Sequence, residues 1–374
     1  MNELDEYFYT IKSEETKQTY AEYLQYFEKF IGKTMLKVLK MTPVKIQGIL
    51  KEYVIDMRDR KLSSSSITGR LAPIFSILEL NDIVVNKKKI LKFVGERKRT
   101  FKDEAYALED IEKMVNMSKP RTKLIILIYS STGMRRSALL ELKLKHIEKI
   151  KEYGIYKFRV YENTKEEYIT FCTPECAAAV DQYLEVRKQA GEHLTKESWL
   201  IRNDFDVDNP KSVQNPKPTN AINVSTVIRN VLVKAGLRKL GQPKSTRNER
   251  PIIHAFRKFA TTQFVHSSLN PEIREMLLGH SIGLTGVYYR PADNDLLKEY
   301  VKAMNLLTID PTFRLKNKII ILEGREKEIE SMKESVKQLE EKLEHYRTEK
   351  LLRTLNDNGP MSTKDLIKKL GKYE

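Results

Sequence analysis

Three short segments carry residue types that can act on a phosphodiester. In Ser131-Thr132-Gly133-Met134-Arg135-Arg136-Ser137-Ala138-Leu139-Leu140, a glycine turn delivers arginine to the start of an apolar-periodic helix. The planar guanidinium fork and the helix start both favour a phosphate. In Pro251-Ile252-Ile253-His254-Ala255-Phe256-Arg257, His254 and Arg257 stand three residues apart, so on a helix they project from one face. One can hydrogen-bond a phosphoryl oxygen while the other clamps it with charge. Leu277-Leu278-Gly279-His280 is followed nine positions later by Tyr289, within Gly286-Val287-Tyr288-Tyr289-Arg290. A tyrosine hydroxyl is a poor nucleophile unless positive charge surrounds it. Taken singly these signals are weak. Arginines near helix starts and HxxR pairs are common structural features, and a lone tyrosine is usually core or interface.

Composition bounds the partner. The 374 residues carry 67 Lys and Arg against 51 Asp and Glu, a formal net charge of +16. Folding does not require that excess, whereas holding a polyanion does. Nucleic acid is the first candidate partner, an anionic membrane the second, and charge that serves only solubility the third. No apolar stretch approaches the roughly 18 residues of a membrane span. The acidic start MNELDEYFYT is unlike a secretory signal, which predicts a soluble protein of the cytoplasm, associated with the nucleoid. Cys172 and Cys176 are too few for a disulfide framework and lack a second Cys/His pair at zinc spacing, so they read as ordinary thiols.

The elements that must position these residues are mostly helical. Tyr20, Leu24, Phe27 and Ile31 recur at i, i+4, i+7 and i+11, one apolar stripe over 15–31. A second helix begins near Pro43 and carries Ile46, Leu50, Tyr53, Val54 and Met57. The run Ser63–Ser66 offers an N-cap for a third, with Ile67, Leu71, Ile74, Phe75 and Leu78 inside and Pro73 as a kink or a delayed start. These helices make a bundle over 1–85. The lysine- and arginine-rich stretch after it, 86–104, reads as an interdomain linker, either a basic strap on DNA or a solvated tether. Residues 105–306 form the second domain. There LIILIYSSTG is a buried helix arriving at a turn, and Tyr156–Val160 and Tyr168–Phe171 flank a polar stretch as a β-hairpin. Residues 202–220 and 241–251 are expected to be surface loops. In the tail, 307–374, Ile329, Met332, Val336, Leu339, Leu343 and Tyr346 alternate by three and four, a heptad seam for a coiled coil or for packing on the chain's own core. After Gly359 one more capped helix is expected.

The order of the motifs is more specific than any one of them. Arginine, lysine, HxxR, LGH and then tyrosine, over roughly 105–305, resembles the catalytic domain of the tyrosine recombinases, which include phage-type integrases and the integrases of archaeal viruses and plasmids. TGMRRSALLEL resembles the first arginine box, HAFRKFATTQF the second, and LGHSIGLTGVYY the third with its nucleophile. The implied fold is mainly α with a small β element: a helical core-binding domain that clamps DNA, and a tyrosine-recombinase catalytic domain. The implied reaction is site-specific DNA cleavage and rejoining through a 3′-phosphotyrosyl link. Arg135 and Arg257 would grip the scissile phosphate, and His254 and His280 would hydrogen-bond it. Lys165, on the hairpin turn, would protonate the leaving 5′ oxygen, and Tyr289 would attack. Spacing to His280 favours Tyr289 over Tyr288. No metal, ATP or other cofactor is implied, in keeping with the lack of a P-loop or carboxylate metal cluster in the sequence. The implied partners are double-stranded DNA and further copies of the chain, a tetramer on two paired sites, with room for accessory DNA-bending proteins and no role for a membrane. One position departs from the family pattern: the glutamate commonly found three residues after the first arginine is Ala138 here. The rival readings are a type IB topoisomerase that relaxes DNA, a DNA-binding protein that keeps the fold without catalysis, and a nucleoid architectural protein that uses only the charge.

Overall fold

The structure is a computed structural model that describes residues 2–95, 104–239 and 251–357. It divides into two compact units, Met1–Lys102 and Asp103–Glu374.

The first unit is all helical: α1 (Glu3–Thr10), α2 (Glu14–Ile31), α3 (Met35–Leu39), α4 (Pro43–Asp59), α5 (Ser64–Leu80) and α6 (Lys87–Leu91). The stripe on α2 buries Leu24 and Phe27, with Tyr20 and Ile31 packed at its margins. All five apolar positions read for α4 and all five for α5 are buried, as the 3.6-residue period requires of helices that face one core. The Ser63 hydroxyl accepts the Ser66 N–H at 3.1 Å, so α5 starts where its cap stands and Pro73 does not delay it. Pro73 lies inside α5, where it removes one backbone donor. Buried Ile74, Phe75, Ile77 and Leu78 hold the helix beyond it. The expected linker is corrected at its start. Residues 87–94 form α6 and a 3₁₀ turn that belong to the first unit, because Ile90 and Val94 are buried and Arg58 Nη1 donates to the Phe93 carbonyl at 3.0 Å. Two apolar residues four apart were hidden among the lysines. The remainder of the stretch, 96–103, lies outside the described residues.

The second unit is built around α8 (Pro120–Thr132), which follows α7 (Leu108–Asn116). Every residue from Leu124 to Thr132 is buried, so α8 is a core helix without a solvent face. After α9 (Arg136–Glu141) the chain forms a three-stranded antiparallel meander, β1 (Ile147–Ile150), β2 (Ile155–Val160) and β3 (Tyr168–Phe171), with Phe158 opposite Ile147 and Val160 opposite Tyr168. The hairpin is the one read from the sequence. Strand β1 is added to it, a four-residue edge strand with no fully buried residue and therefore no alternation to detect.

Next come α10 (Pro174–Gln189), α11 (Pro210–Gln214), α12 (Ala221–Lys234), α13 (His254–His266), α14 (Pro271–Leu277), α15 (Thr285–Tyr288), α16 (Asp293–Leu307) and the 47-residue α17 (Pro311–Asp357). Helix α8 packs against α7, α10, α12, α13 and α16, and buried Phe256, Phe264 and Tyr300 fill the space between. The expected loop at 202–220 is corrected in part: it contains α11 and buries Val213, because Arg202 donates to the Val213 and Ser212 carbonyls at 2.8 and 2.5 Å. Of the expected loop at 241–251, residues 241–250 lie outside the described residues, as does the tail after 357. Cys172 and Cys176 are buried free thiols. Among the described residues, no helix is long and apolar enough to cross a membrane.

Candidate active site

The site is assembled where the ends of α8, α13 and α14 meet. Helix α8 terminates at Gly133 in the left-handed conformation, φ 63°. A Cβ there would stand 2.9 Å from Leu278 Cδ2 and 3.0 Å from Ala260 Cβ, so glycine is required by both backbone and space. The turn puts Arg135 at the extended N-cap position of α9. Arg135 Nη1 donates to the Gly279 carbonyl at 2.8 Å. Gly279 is equally constrained: φ is +66°, and a Cβ would meet the Tyr168 ring at 2.5 Å. Ala138 stands where the family pattern has a carboxylate. Ala138 is buried, and the group that holds Arg135 is a backbone carbonyl.

Arg257, on the first turns of α13, ties the segments together. Its Nη1 donates to the Gly133 carbonyl at 2.7 Å, and its Nη2 to the Leu278 carbonyl at 2.7 Å. Nη2 also stands 2.6 Å from His280 Nε2. A guanidinium has no acceptor to offer, so Nε2 accepts and the ring proton sits on Nδ1. Nδ1 in turn lies 2.6 Å from Glu275 Oε2, and Arg274 Nε holds the other oxygen at 3.0 Å. Burial and then the charge of nearby Arg135 pull the Arg257 guanidinium below its ordinary pKa. For Glu275, partial burial works upward, but the hydrogen bonds from His280 and Arg274 outweigh it and hold the carboxyl below the usual range. Among the described residues, neither Arg135 nor Arg257 has a carboxylate within ion-pair distance; their partners are carbonyls and His280.

These groups open onto a cleft of about 590 Å³ lined by Arg135, His254, Arg257 and His280, together with Arg136, Ser225 and Arg229. The structure therefore brings four of the six sequence-read residues to one cleft. The other two stand apart from its lining. Lys165 is exposed on the β2–β3 turn, and Tyr289, just after α15, is 36% exposed, against 87% for Tyr288. Arg229 and Ser225 were missed. They sit four apart on α12, beside the apolar stripe of Val224, Ile228 and Val231, and that polar stripe was the only local signal. Glu275 was also missed; it lies five residues before His280, inside a segment read only for its LGH.

Residues 102–295, just over half of the chain, match the family model described as "Phage integrase family". The chain belongs to this family. It is a tyrosine recombinase, an enzyme of DNA strand exchange. The tyrosine recombinase XerC of Lactobacillus leichmannii is 22% identical over 249 residues, 64% of this chain and 77% of that protein. Among solved structures, the recombinase is similar to a lambda integrase dimer bound to a COC′ core site, with 13% identity, 80% of this chain and 94% of that one covered, and a TM-score of 0.51. It is also similar to the XerH site-specific recombinase bound to difH substrate in a pre-cleavage complex, with 16% identity, coverage of 73% and 76%, and a TM-score of 0.51. At these identities the likenesses establish a shared fold.

Proposed function

We propose that this recombinase cleaves and rejoins double-stranded DNA at specific sites through a 3′-phosphotyrosyl intermediate on Tyr289. The observation that carries the reading is the convergence of Arg135 and Arg257, with no carboxylate paired to either among the described residues, on a cleft that also holds His254 and His280. Two cations gathered beside an open cleft are stabilised by an anion placed between them, and a phosphodiester bears the right charge and geometry. The Tyr289 oxygen attacks phosphorus, the bond to the 5′ oxygen breaks, and charge on the pentavalent phosphorus is met by the two arginines. His254 bonds the same oxygens, and His280, oriented by Glu275, joins it as an imidazolium once Nε2 carries a proton and Arg257 turns from it to the phosphate. The proton lost by tyrosine is balanced by one gained at the 5′ oxygen, for which Lys165 is the proposed donor. Rejoining reverses the step with a new 5′ hydroxyl. The bond energy stays in the phosphotyrosine, so the cycle requires neither ATP nor metal.

In this reading the helical bundle, extended through residue 94, is the core-binding domain, 105–306 the catalytic domain, and four copies act on two paired sites. The DNA complexes of the lambda integrase and XerH structures support DNA as substrate. The test is covalent trapping on nicked DNA bearing a candidate attachment site, with Tyr289→Phe and Tyr288→Phe alongside. A covalent band lost only in Tyr289→Phe is expected. A band that persists there assigns the nucleophile elsewhere, and no band from protein that still binds DNA overturns catalysis. Site-independent relaxation of supercoils would identify a topoisomerase instead.

A further inference from the structure

Helix α17 leaves the second unit after its first turns. Asn317 is buried there, donating to Thr308 Oγ1 at 2.9 Å, and Arg314 donates to the Thr308 and Ile309 carbonyls. From Leu322 to Lys350, every residue whose burial is described is exposed. The helix spans 47 residues, about 70 Å at 1.5 Å per residue. Yet it carries Ile329, Met332, Val336, Leu339, Leu343 and Tyr346 on one stripe, each between 52% and 66% exposed. A solvated helix has no use for such a stripe, and water penalises it.

We propose that this stripe pairs, antiparallel, with the same stripe of a second copy of the chain. The spacing identifies the occupant as a helix. Steps alternating between three and four residues repeat every seven, the heptad of a seam between two helices. Charge makes DNA a poor occupant: residues 329–347 hold five Glu against four Lys and Arg, in a chain whose net charge is +16. Charge also makes a second copy a good one. With Ile329, Val336 and Leu343 at a positions, Lys333, Glu340 and Arg347 fall at e, and Ser335 and Lys342 at g. Parallel pairing sets g against e and brings Lys342 against Arg347 of the second copy, a repulsion that cancels the attraction of Glu328, the preceding g residue, for Lys333. Antiparallel pairing sets e against e and brings Lys333 against Glu340 twice, once on each side of the dyad, while Ser335 meets Lys342 without repulsion. The core layers then become Ile329 with Tyr346, Met332 with Leu343, and Val336 with Leu339.

This pairing needs neither DNA nor the cleft, so it is measured on the full chain without DNA, and it stands or falls apart from the proposed reaction. Sedimentation equilibrium is expected to show a dimer. Leu339→Glu should weaken it by roughly a hundredfold or more, since the new charge would be buried in the seam. Trp199 fluorescence, unchanged, would show that the second unit is still folded. Lys333→Glu should weaken the dimer, and Lys333→Glu with Glu340→Lys should restore it. With a short bismaleimide, Leu339→Cys should cross-link to its counterpart, whereas Tyr346→Cys should not, because antiparallel pairing separates the two copies of residue 346 by about 25 Å along the axis. A wild-type monomer at the highest soluble concentration, a dimer indifferent to Leu339→Glu, or equal cross-linking at 339 and 346 would overturn the proposal.

Discussion

The second unit contains two groups of arginines that obey opposite rules. Away from the cleft, Arg187 and Arg202 are buried and bracket Glu192, with Arg187 Nη2 at 2.5 Å from Oε1 and Arg202 Nη1 at 2.6 Å from Oε2. Arg187 also donates to the Trp199 and Leu200 carbonyls, and Arg202 to those of Val213 and Ser212. Arg121 extends the group by donating to the Arg202 carbonyl and to Thr219. Arg187 and Arg202 share the Glu192 carboxylate, while Arg121 is held by neutral acceptors. At the cleft, Arg135 and Arg257 are held by carbonyls and a histidine, and among the described residues no carboxylate pairs directly with either. A buried arginine needs a partner, and where the protein does not supply the anion, a ligand must. Burial alone therefore does not mark a functional arginine. A missing counter-charge beside an open cleft does.

The largest effect expected from this contrast is on reaction rate. Arg135→Ala should lower single-turnover cleavage by roughly 10²–10³-fold, the scale of losing one charge-stabilising donor, with little change in the unfolding midpoint. A similar loss of rate from Arg187→Ala, with its fold retained, would break the comparison. The structural group should respond in stability instead. Glu192→Ala leaves two buried guanidinium groups without their carboxylate and should cost about 3–5 kcal/mol in urea unfolding. Trp199 fluorescence would follow it, and an unaffected midpoint would show that the ion triad is not structural.

Glu175 gives a third case, a buried carboxylate without a cation as close partner. It accepts the Ile309 and Asp310 N–H groups at 2.6 and 2.7 Å and so fixes the junction between α16 and α17. Burial pushes its carboxyl up to about 7, against those hydrogen bonds, from an ordinary value of 4.5. The folded chain thus keeps a proton that the unfolded chain releases. The stabilisation is complete below pH 4.5 and is lost as pH rises to 7 and beyond, about 3 kcal/mol in all. Unfolding midpoints measured between pH 5 and 8 should fall in the wild type relative to Glu175→Gln; parallel curves would refute it. The smallest effect is expected at Glu275. Glu275→Gln keeps an acceptor for His280 Nδ1–H but removes the charge, and should slow cleavage roughly tenfold, below the ~10²–10⁴ of losing an acid–base group. The pH–rate profile should shift with it, which a purely structural role for Glu275 would not produce.

Local periodicity made much of the molecule legible. The core positions of α4 and α5, the α5 cap at Ser63, the hairpin and the helix over 329–346 all depend on neighbours within a turn or a strand pair. The same holds for HxxR, since three residues of helix put His254 and Arg257 near each other in any fold. What escaped had no such period. Strand β1 is too short, α6 and the 3₁₀ turn after it hide Ile90 and Val94 among lysines, and Arg202 turns an apparent loop into a packed segment through contacts about ten residues away.

The sequence by itself determined which residue types are available and their local spacing: two arginine boxes, an LGH, a tyrosine and a heptad stripe. Only the tertiary structure decided how distant segments meet. Arg257 reaches the Gly133 carbonyl across 124 residues of chain, and Arg135 reaches Gly279 across 144. Arg229 joins the cleft from α12, and Glu275 reaches His280 from α14. The physical reason is that backbone geometry propagates a pattern over only a few residues. Bringing Gly133, Arg257 and Gly279 together depends on how α8, α13 and α14 pack, and that is settled by the burial of the whole core at once.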